Sequence, residues 1–344
     1  MRLLSLFRGR SIRSLVGSIT TVALAGMASP SFGGIVTFGS GSNQFNMEFV
    51  TIGNPGNAAD TSGAPNPAGA VGYEYGIGKF EVSEDMITKY NANFGTENGL
   101  VISQTNRGAN KPATATTWNG AARFVNWLNR SQGYQEAYKF APSSTISDNI
   151  QLWTSGEAGF NASNRYRNSL ARYVLPDYNE WYKAAYYKAS NSTYYDYANG
   201  SDTAPTAVAS GVLDNTAVYQ DLLADPSVAP PSPADVDQAG GLSPYGVMAL
   251  GGNAQEWEES SFDLANSSGD SNRAHRGGAW GFTVDRLKSS DRRSISPTSN
   301  ANSIGFRVVV LSSSAPPAVP EPSMMVIGTL FGLGGLVAKR RMKK

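Results

Sequence analysis

The chain has 344 residues, with 28 lysines and arginines, 27 acidic residues, one histidine and no cysteine. Nine of the basic residues and one acidic residue lie in the two terminal segments, so the body between them carries 19 basic and 26 acidic residues, a net charge of −7. An acidic body without a basic stripe argues against nucleic acid as a partner, because neutralisation of phosphates dominates affinity for nucleic acids.

The N-terminus has the layout of a secretory signal peptide. A positive segment is followed by the apolar stretch from Leu15 to Leu24 and then by small residues. Its positive and small residues are Arg2, Arg8, Arg10, Arg13, Ala23, Ala25 and Ala28. This pattern predicts a signal peptide over residues 1–33 and an exported body.

The body predicts a single α+β domain with much irregular backbone. Turn-forming residues are frequent, and only three segments have helical spacing. The first helix begins after Ser83, the second covers 118–129 behind Thr117, and the third follows Pro176 with a capping box. The capping box pairs Asp177 with Glu180. Short strands are predicted at Ile35–Phe38, Gly76–Phe80 and Phe306–Leu311.

The C-terminus has the layout of a sorting signal. Val-Pro-Glu-Pro at 319–322 is followed by an apolar run from Met324 to Ala338 and a basic cluster at 339–344. In order and spacing it resembles the PEP-CTERM tail, which bacteria with an exosortase use to route proteins to the cell surface. The run has 15 residues and four glycines, short of the ~20 apolar residues that span a bilayer. A processed signal is therefore expected; an ordinary C-terminal anchor is the alternative, and both place the body outside the cytoplasm.

A succession of motifs covers almost the whole body. The motifs include Val-Leu-Pro-Asp-Tyr-Asn-Glu-Trp at 174–181, Gly-Gly-Asn-Ala-Gln-Glu-Trp at 251–257, Arg-Gly-Gly-Ala-Trp at 276–280 and Ile-Gly-Phe-Arg at 304–307. In combination they resemble the formylglycine-generating enzyme family, also called the sulfatase-modifying factor family, over roughly residues 45 to 311. The resemblance implies a variant C-type-lectin-like fold rich in irregular loops.

The oxidase chemistry of that family lacks its ligands in this sequence. Members that make formylglycine hold copper with two cysteines just after the Arg-Gly-Gly motif, and the corresponding stretch here is Gly281–Leu287. It supplies no thiolate, the soft ligand that selects Cu(I). A second branch holds iron with several histidines, and His275 is the only one in this chain. We therefore expect a domain that lacks both known redox sites.

The resemblance also implies a structural calcium ion. In the family the Gly-Asn-x-x-Glu-Trp segment helps to bind calcium, and the matching residues are Asn253 and Glu256. Amide and carboxylate oxygens with backbone carbonyls suit this hard cation. The alternative is that Asn253 caps a turn and Glu256 pairs with Arg276 or Arg307, which we expect to hold carboxylates or carbonyls.

The remaining candidates for a site favour structural roles. His275 lies beside a motif expected in the core, so a Ser–His pair is disfavoured. Half of the sixteen tyrosines lie between Tyr173 and Tyr197; they suit either helix packing or binding of a glycan or peptide. Glu258 and Glu259 are expected on a solvated face, and no spacing selects an acid–base pair from the carboxylates.

The sequence as a whole predicts an exported, surface-associated bacterial protein. Its domain, at 34–311, is expected to act as a binding or structural module, followed by a linker at 312–319 and a sorting tail at 320–344. Exosortase-type sorting machinery and extracellular polysaccharide or envelope proteins are the expected partners. The alternative is an enzyme of the same superfamily with an unrecognised active site. A cleft lined by convergent titratable groups would favour the enzyme, and one lined by aromatic and amide groups would favour the binding module.

Overall fold

The computed structural model describes residues 32–221 and 232–312. The predicted signal peptide and sorting tail therefore lie outside the described residues. Within these ranges no helix combines the length and apolar character that crossing a membrane requires. The α+β class is confirmed: two main antiparallel-rich sheets and three α-helices are joined by long irregular segments.

The first sheet joins the two ends of the domain. Its strands are β1 (Gly34–Phe38), β2 (Phe45–Ile52), β3 (Tyr75–Gly78), β4 (Tyr173–Val174) and β13 (Val309–Val310), in the order β1-β2-β3-β13-β4. All four pairings are antiparallel. The C-terminal strand β13 therefore lies between β3 and β4, and the domain closes on itself. Strand β2 was not predicted, although Phe45, Met47 and Phe49 alternate as buried residues along it.

The second sheet carries the polar centre of the domain. Its strands are β9 (Gln255–Ser261), β10 (Arg273–Arg276), β11 (Arg293–Ile295) and β12 (Ile304–Gly305), in the order β11-β10-β9-β12. Two minor sheets pair β5 (Tyr187–Lys188) with β6 (Thr193–Tyr194), and β7 (Thr206–Ala207) with β8 (Thr216–Ala217).

The three predicted helices are confirmed, with their caps. They are α1 (Glu84–Tyr90), α2 (Trp118–Ser131) and α3 (Tyr178–Tyr186). Thr117 Oγ1 accepts a hydrogen bond from the Gly120 backbone N–H at 3.0 Å, and the Asp177–Glu180 capping box is complete. These side chains satisfy backbone donors that a helix start leaves without partners. Buried Trp118, Trp181 and Trp257 then anchor α2, α3 and β9 in one core.

The strand predicted at Phe306–Leu311 is divided in the structure. Ile304–Gly305 pairs with β9 in the second sheet, and Val309–Val310 pairs with β3 and β4 in the first. The chain crosses between the sheets at 306–308, and the buried side chain of Arg307 contacts both sheets there. Arg307 Nη1 donates to the Gly78 carbonyl of β3 at 2.8 Å, while Nε donates to Glu256 of β9 at 2.6 Å.

Candidate functional site

The three glutamates of β9 are completely buried. The prediction of a solvated face for Glu258 and Glu259 is therefore wrong. The physical reason is that each carboxylate meets an arginine from another part of the chain, which compensates the cost of removing the charge from water. Glu258 Oε1 lies 2.9 Å from Arg276 Nε, and Glu259 Oε2 lies 2.8 Å from Arg167 Nε.

Glu256 belongs to the same arrangement. Its Oε2 accepts hydrogen bonds from Arg307 Nε and from Trp181 Nε1, both at 2.6 Å, and its Oε1 pairs with Arg307 Nη2. Arg307 Nη2 also donates to the Met248 carbonyl at 2.9 Å. The expectation that Arg307 holds a carboxylate together with carbonyls is thus confirmed.

Asn253 lies just before β9, and its side-chain amide contacts Glu81 and Ala234 rather than Glu256. Its φ of +59° places it in the left-handed region, where asparagine is tolerated better than most residues. Its Oδ1 accepts a hydrogen bond from the Ala234 N–H at 2.8 Å, and its Nδ2 donates to Glu81 Oε2 at 2.6 Å. Asn253 therefore fixes two loops through both ends of its amide.

These contacts do not fit a calcium ion between Asn253 and Glu256. Calcium needs several oxygens whose lone pairs face the cation, whereas the Asn253 oxygen receives an N–H and the Glu256 charge is balanced by Arg307. Within residues 32–221 and 232–312, no group of three or more His, Cys, Asp or Glu side chains could hold a metal ion. The contacts of Glu256 and Asn253 match the ion-pair alternative. Calcium binding stays a prediction, which melting with and without a chelator tests.

Glu81 is a buried carboxyl that sequence analysis missed. It accepts hydrogen bonds from Asn253 Nδ2 and from the Ala254 N–H. Burial, and next the nearby charge of Glu256, raises the pKa of Glu81 to about 8, against the opposing effect of Arg307. A cleft of about 220 Å³ that Met47, Phe80 and Met86 also line adjoins Glu81. The only sequence signal for Glu81 is that it follows the predicted strand, within Gly-Lys-Phe-Glu-Val-Ser at 78–83.

The segment that corresponds to the copper ligands of the family is a surface turn. Residues Val284–Leu287 form a short 3₁₀ helix. Asp285 is exposed and lies 2.8 Å from Lys288 Nζ, and hydrogen bonding to that ammonium lowers the pKa of Asp285. Leu287 points inward and packs with Tyr197 and Tyr219. The turn therefore offers hydrocarbon and an exposed ion pair rather than a soft metal ligand.

His275 and the tyrosine-rich segment have structural roles. His275 lies on β10, buried, with its ring edge-on to Trp257 at a centroid distance of 5.8 Å. Burial, together with nearby arginines, lowers its pKa to about 4, so the ring is neutral near pH 7. Tyr182 and Tyr186 are fully buried and pack edge-to-face with ring centroids 4.9 Å apart, which supports the packing interpretation of this segment.

A cleft of about 310 Å³ lies between α2, the turn after α1 and the loop after α2. Its lining combines two aromatic rings, two amides, two guanidinium groups and one carboxylate, from Phe94, Phe140, Asn98, Asn126, Arg123, Arg130 and Glu136. The Arg123 guanidinium lies 3.8 Å from the centroid of Phe140, and the Arg130 guanidinium lies 4.3 Å from that of Phe94. Such a lining is suited to binding, because aromatic, amide and guanidinium groups line the cleft beside a single carboxylate, that of Glu136.

The chain belongs to the family of sulfatase-modifying factor enzyme 1-like domains, whose sequence model matches residues 35–311. Among solved structures it is similar to Treponema denticola variable protein 1, with 19% identity, 80% of this chain and 98% of that chain covered, and a TM-score of 0.52. It is also similar to the crystal structure of CarF, with 19% identity, 78% and 99% covered, and a TM-score of 0.56. No curated protein matches the chain. At this identity the similarity shows the fold, and the variant C-type-lectin-like architecture predicted from the motifs is confirmed.

Proposed function

We propose that this chain is an exported, surface-associated protein whose domain acts as a binding or structural module and does not generate formylglycine. The observation that carries the proposal is the complete absence of cysteine in a chain that otherwise belongs to the family. The surface turn at Gly281–Leu287 has no thiolate for copper, and the single imidazole is buried. The cleft beside α2 supports a binding role, because aromatic, amide and guanidinium groups line it.

The two chain ends support the location and partners that we propose. The signal peptide pattern at 1–33 and the Pro-Glu-Pro, apolar and basic succession at 320–344 are the pattern of an exported protein handled by exosortase-type machinery. A net charge of −7 on the body favours solubility outside the cell. Extracellular polysaccharide or envelope proteins are the proposed partners of the domain.

The test combines an activity arm and a binding arm on residues 34–311. We incubate the domain with copper and a peptide containing Cys-x-Pro-x-Arg, beside a cysteine-containing member of the family as positive control, and measure peptide mass. We expect no aldehyde from this domain, and multiple turnover would refute the proposal. In the second arm we expect the folded domain, and not the heat-unfolded domain, to co-sediment with polysaccharide prepared from the native envelope.

One observation favours the alternative, an enzyme with an unrecognised site. Glu81 holds its proton to about pH 8 and borders a cleft of about 220 Å³, and perturbed carboxyls in clefts are candidates for acid–base chemistry. Labelling with a carbodiimide at pH 6, followed by peptide mapping, tests whether a reagent reaches it. The enzyme alternative predicts labelling of Glu81 in the folded domain, whereas a purely structural Glu81 stays unlabelled while exposed Glu97 reacts.

A further inference from the structure

Two buried arginines of the described residues have no carboxylate partner. Arg167, Arg276 and Arg307 each pair with a glutamate, whereas Arg123 and Arg273 do not. Arg273 is enclosed by the rings of Trp118 and Tyr166, at 4.3 and 4.0 Å from their centroids. Arg123 is different, because it is 6% exposed and yet lines the cleft of about 310 Å³ beside α2.

The Arg123 guanidinium is held in place by two hydrogen bonds and keeps a donor without a partner. Its Nη2 donates to the Ser144 hydroxyl at 3.0 Å and to the Thr145 carbonyl, and its plane lies against Phe140. Its Nε is buried and makes no hydrogen bond within the described part of the chain. A buried donor without an acceptor costs roughly 1–3 kcal/mol. Arg123 is therefore a side chain of the cleft lining that keeps an unpaired donor.

Arg130 provides a second guanidinium, about two helical turns further along α2. It is half exposed, stacks on Phe94 and lies 3.3 Å from Glu136 Oε1. Two arginines against one glutamate give the cleft lining a net charge of +1. One singly charged anion neutralises this charge, whereas a doubly charged phosphate exceeds it. A carboxylate has that single charge, and its two oxygens match the planar fork of a guanidinium.

We propose that this cleft binds a carboxylate-bearing sugar, a uronic acid residue, through Arg123 and Arg130. The inference rests on the proposed binding function and names its site and the chemical class of its ligand. The sugar carboxylate would pair with the two arginines of the cleft. Glutamate side chains pair in the same way with Arg167, Arg276 and Arg307. A volume of about 310 Å³ lies at the lower end of ligand pockets, which fits one sugar residue. Asn98 and Glu136 also line the cleft and offer hydrogen-bonding groups to the sugar hydroxyls, and Phe94 and Phe140 add apolar surface.

The experiment compares two sugars that differ at one group. We titrate galacturonate and galactose into residues 34–311 by calorimetry at low salt, because galactose has a hydroxymethyl group where galacturonate has the carboxylate. We expect galacturonate to bind at least tenfold more tightly. Arg130→Gln and Arg123→Lys should each weaken galacturonate binding at least tenfold, the second because lysine keeps the charge but loses Nε and the planar fork.

The matched control is Arg293→Gln, which removes the same charge from a half-exposed arginine outside the cleft. Arg130 is exposed on α2, so its variant keeps the fold, and thermal melting checks each protein. Equal binding of both sugars, tighter binding of inorganic phosphate, or an effect of Arg130→Gln no larger than that of Arg293→Gln would overturn the inference. If envelope polysaccharide binds while galacturonate does not, only the ligand assignment fails. Multiple turnover of the cysteine peptide would instead remove the proposed function.

Discussion

Arg307 and Glu256 form a buried ion pair that joins the two sheets, with Arg307 Nε 2.6 Å from Glu256 Oε2. Arg307 lies in the segment that crosses from the second sheet to the first, and Glu256 lies on β9. Since both side chains are completely buried, neither charge can be left alone without a large cost. The pair, with the Arg307 hydrogen bonds to the Gly78 and Met248 carbonyls, therefore anchors the segment that crosses between the sheets.

We predict that Glu256→Gln destabilises the domain by about 3–5 kcal/mol, because it leaves the Arg307 charge buried without its partner. Urea unfolding of residues 34–311 measures the change. Glu48→Gln is the matched control, since Glu48 pairs with Lys79 at 2.9 Å on the surface and such pairs contribute about 1 kcal/mol or less. Equal losses for the two variants would contradict the role given to the buried pair.

We predict that excess chelator leaves the melting temperature of the wild-type domain unchanged. The reason is that Arg307, rather than a cation, balances Glu256, and that Asn253 Oδ1 already accepts a hydrogen bond. Melting is recorded with calcium and with chelator, for the wild type and for Glu256→Gln. If calcium raises the melting temperature of the wild type but not of the variant, the calcium site implied by the family resemblance is correct.

The titration of His275 can be followed without overlapping signals, because it is the only histidine of the chain. We predict a pKa of about 4 for its ring in tag-free protein, measured by NMR. The unfolded chain takes up a proton near pH 6.5 and the folded chain does not, so stability is lost as pH falls from 6.5 to about 4, by roughly 3 kcal/mol at most. His275→Phe should reduce this loss. A ring pKa near 6.5 would show that solvent reaches the histidine.

Glu81 is predicted to have the opposite effect on the pH dependence of stability. The folded state keeps its proton to about pH 8, whereas the unfolded chain releases it near 4.5. The folded state therefore binds more protons between these values, and stability falls as pH rises from 4.5 to about 8. Thermal melting across this range should show a smaller fall for Glu81→Gln. Burial also raises the pKa of Asp177 to about 8, so Asp177→Asn is measured in parallel to separate the two slopes.

We predict that the mature protein has lost its C-terminal tail. The Pro-Glu-Pro sequence precedes a glycine-rich apolar run that is short for a membrane span. Intact-mass measurement on protein from the native envelope should place the C-terminus near residues 320–322. Retention of Lys344 would instead favour an ordinary C-terminal anchor.

The sequence determines the features of this protein that depend on neighbouring residues or on composition. Helix starts were predictable because a cap bonds to a backbone N–H three residues away, as Thr117 and Asp177 do. The absence of the copper ligands also follows from the sequence alone, because no cysteine exists anywhere in it. The order of motifs identified the family and its fold, since each motif is short and local.

Only the tertiary structure decided which side chains meet. Glu258 and Glu259 look like a solvated face because two adjacent carboxylates are costly to bury, and their arginine partners lie far away along the chain. The cleft beside α2 could not be predicted from the sequence for the same reason. Arg123 and Arg130 lie on α2, whereas the rings that they contact, Phe140 and Phe94, come from the segments after and before this helix. Local pattern fixes how each segment folds, but burial and charge balance depend on contacts between segments distant in sequence.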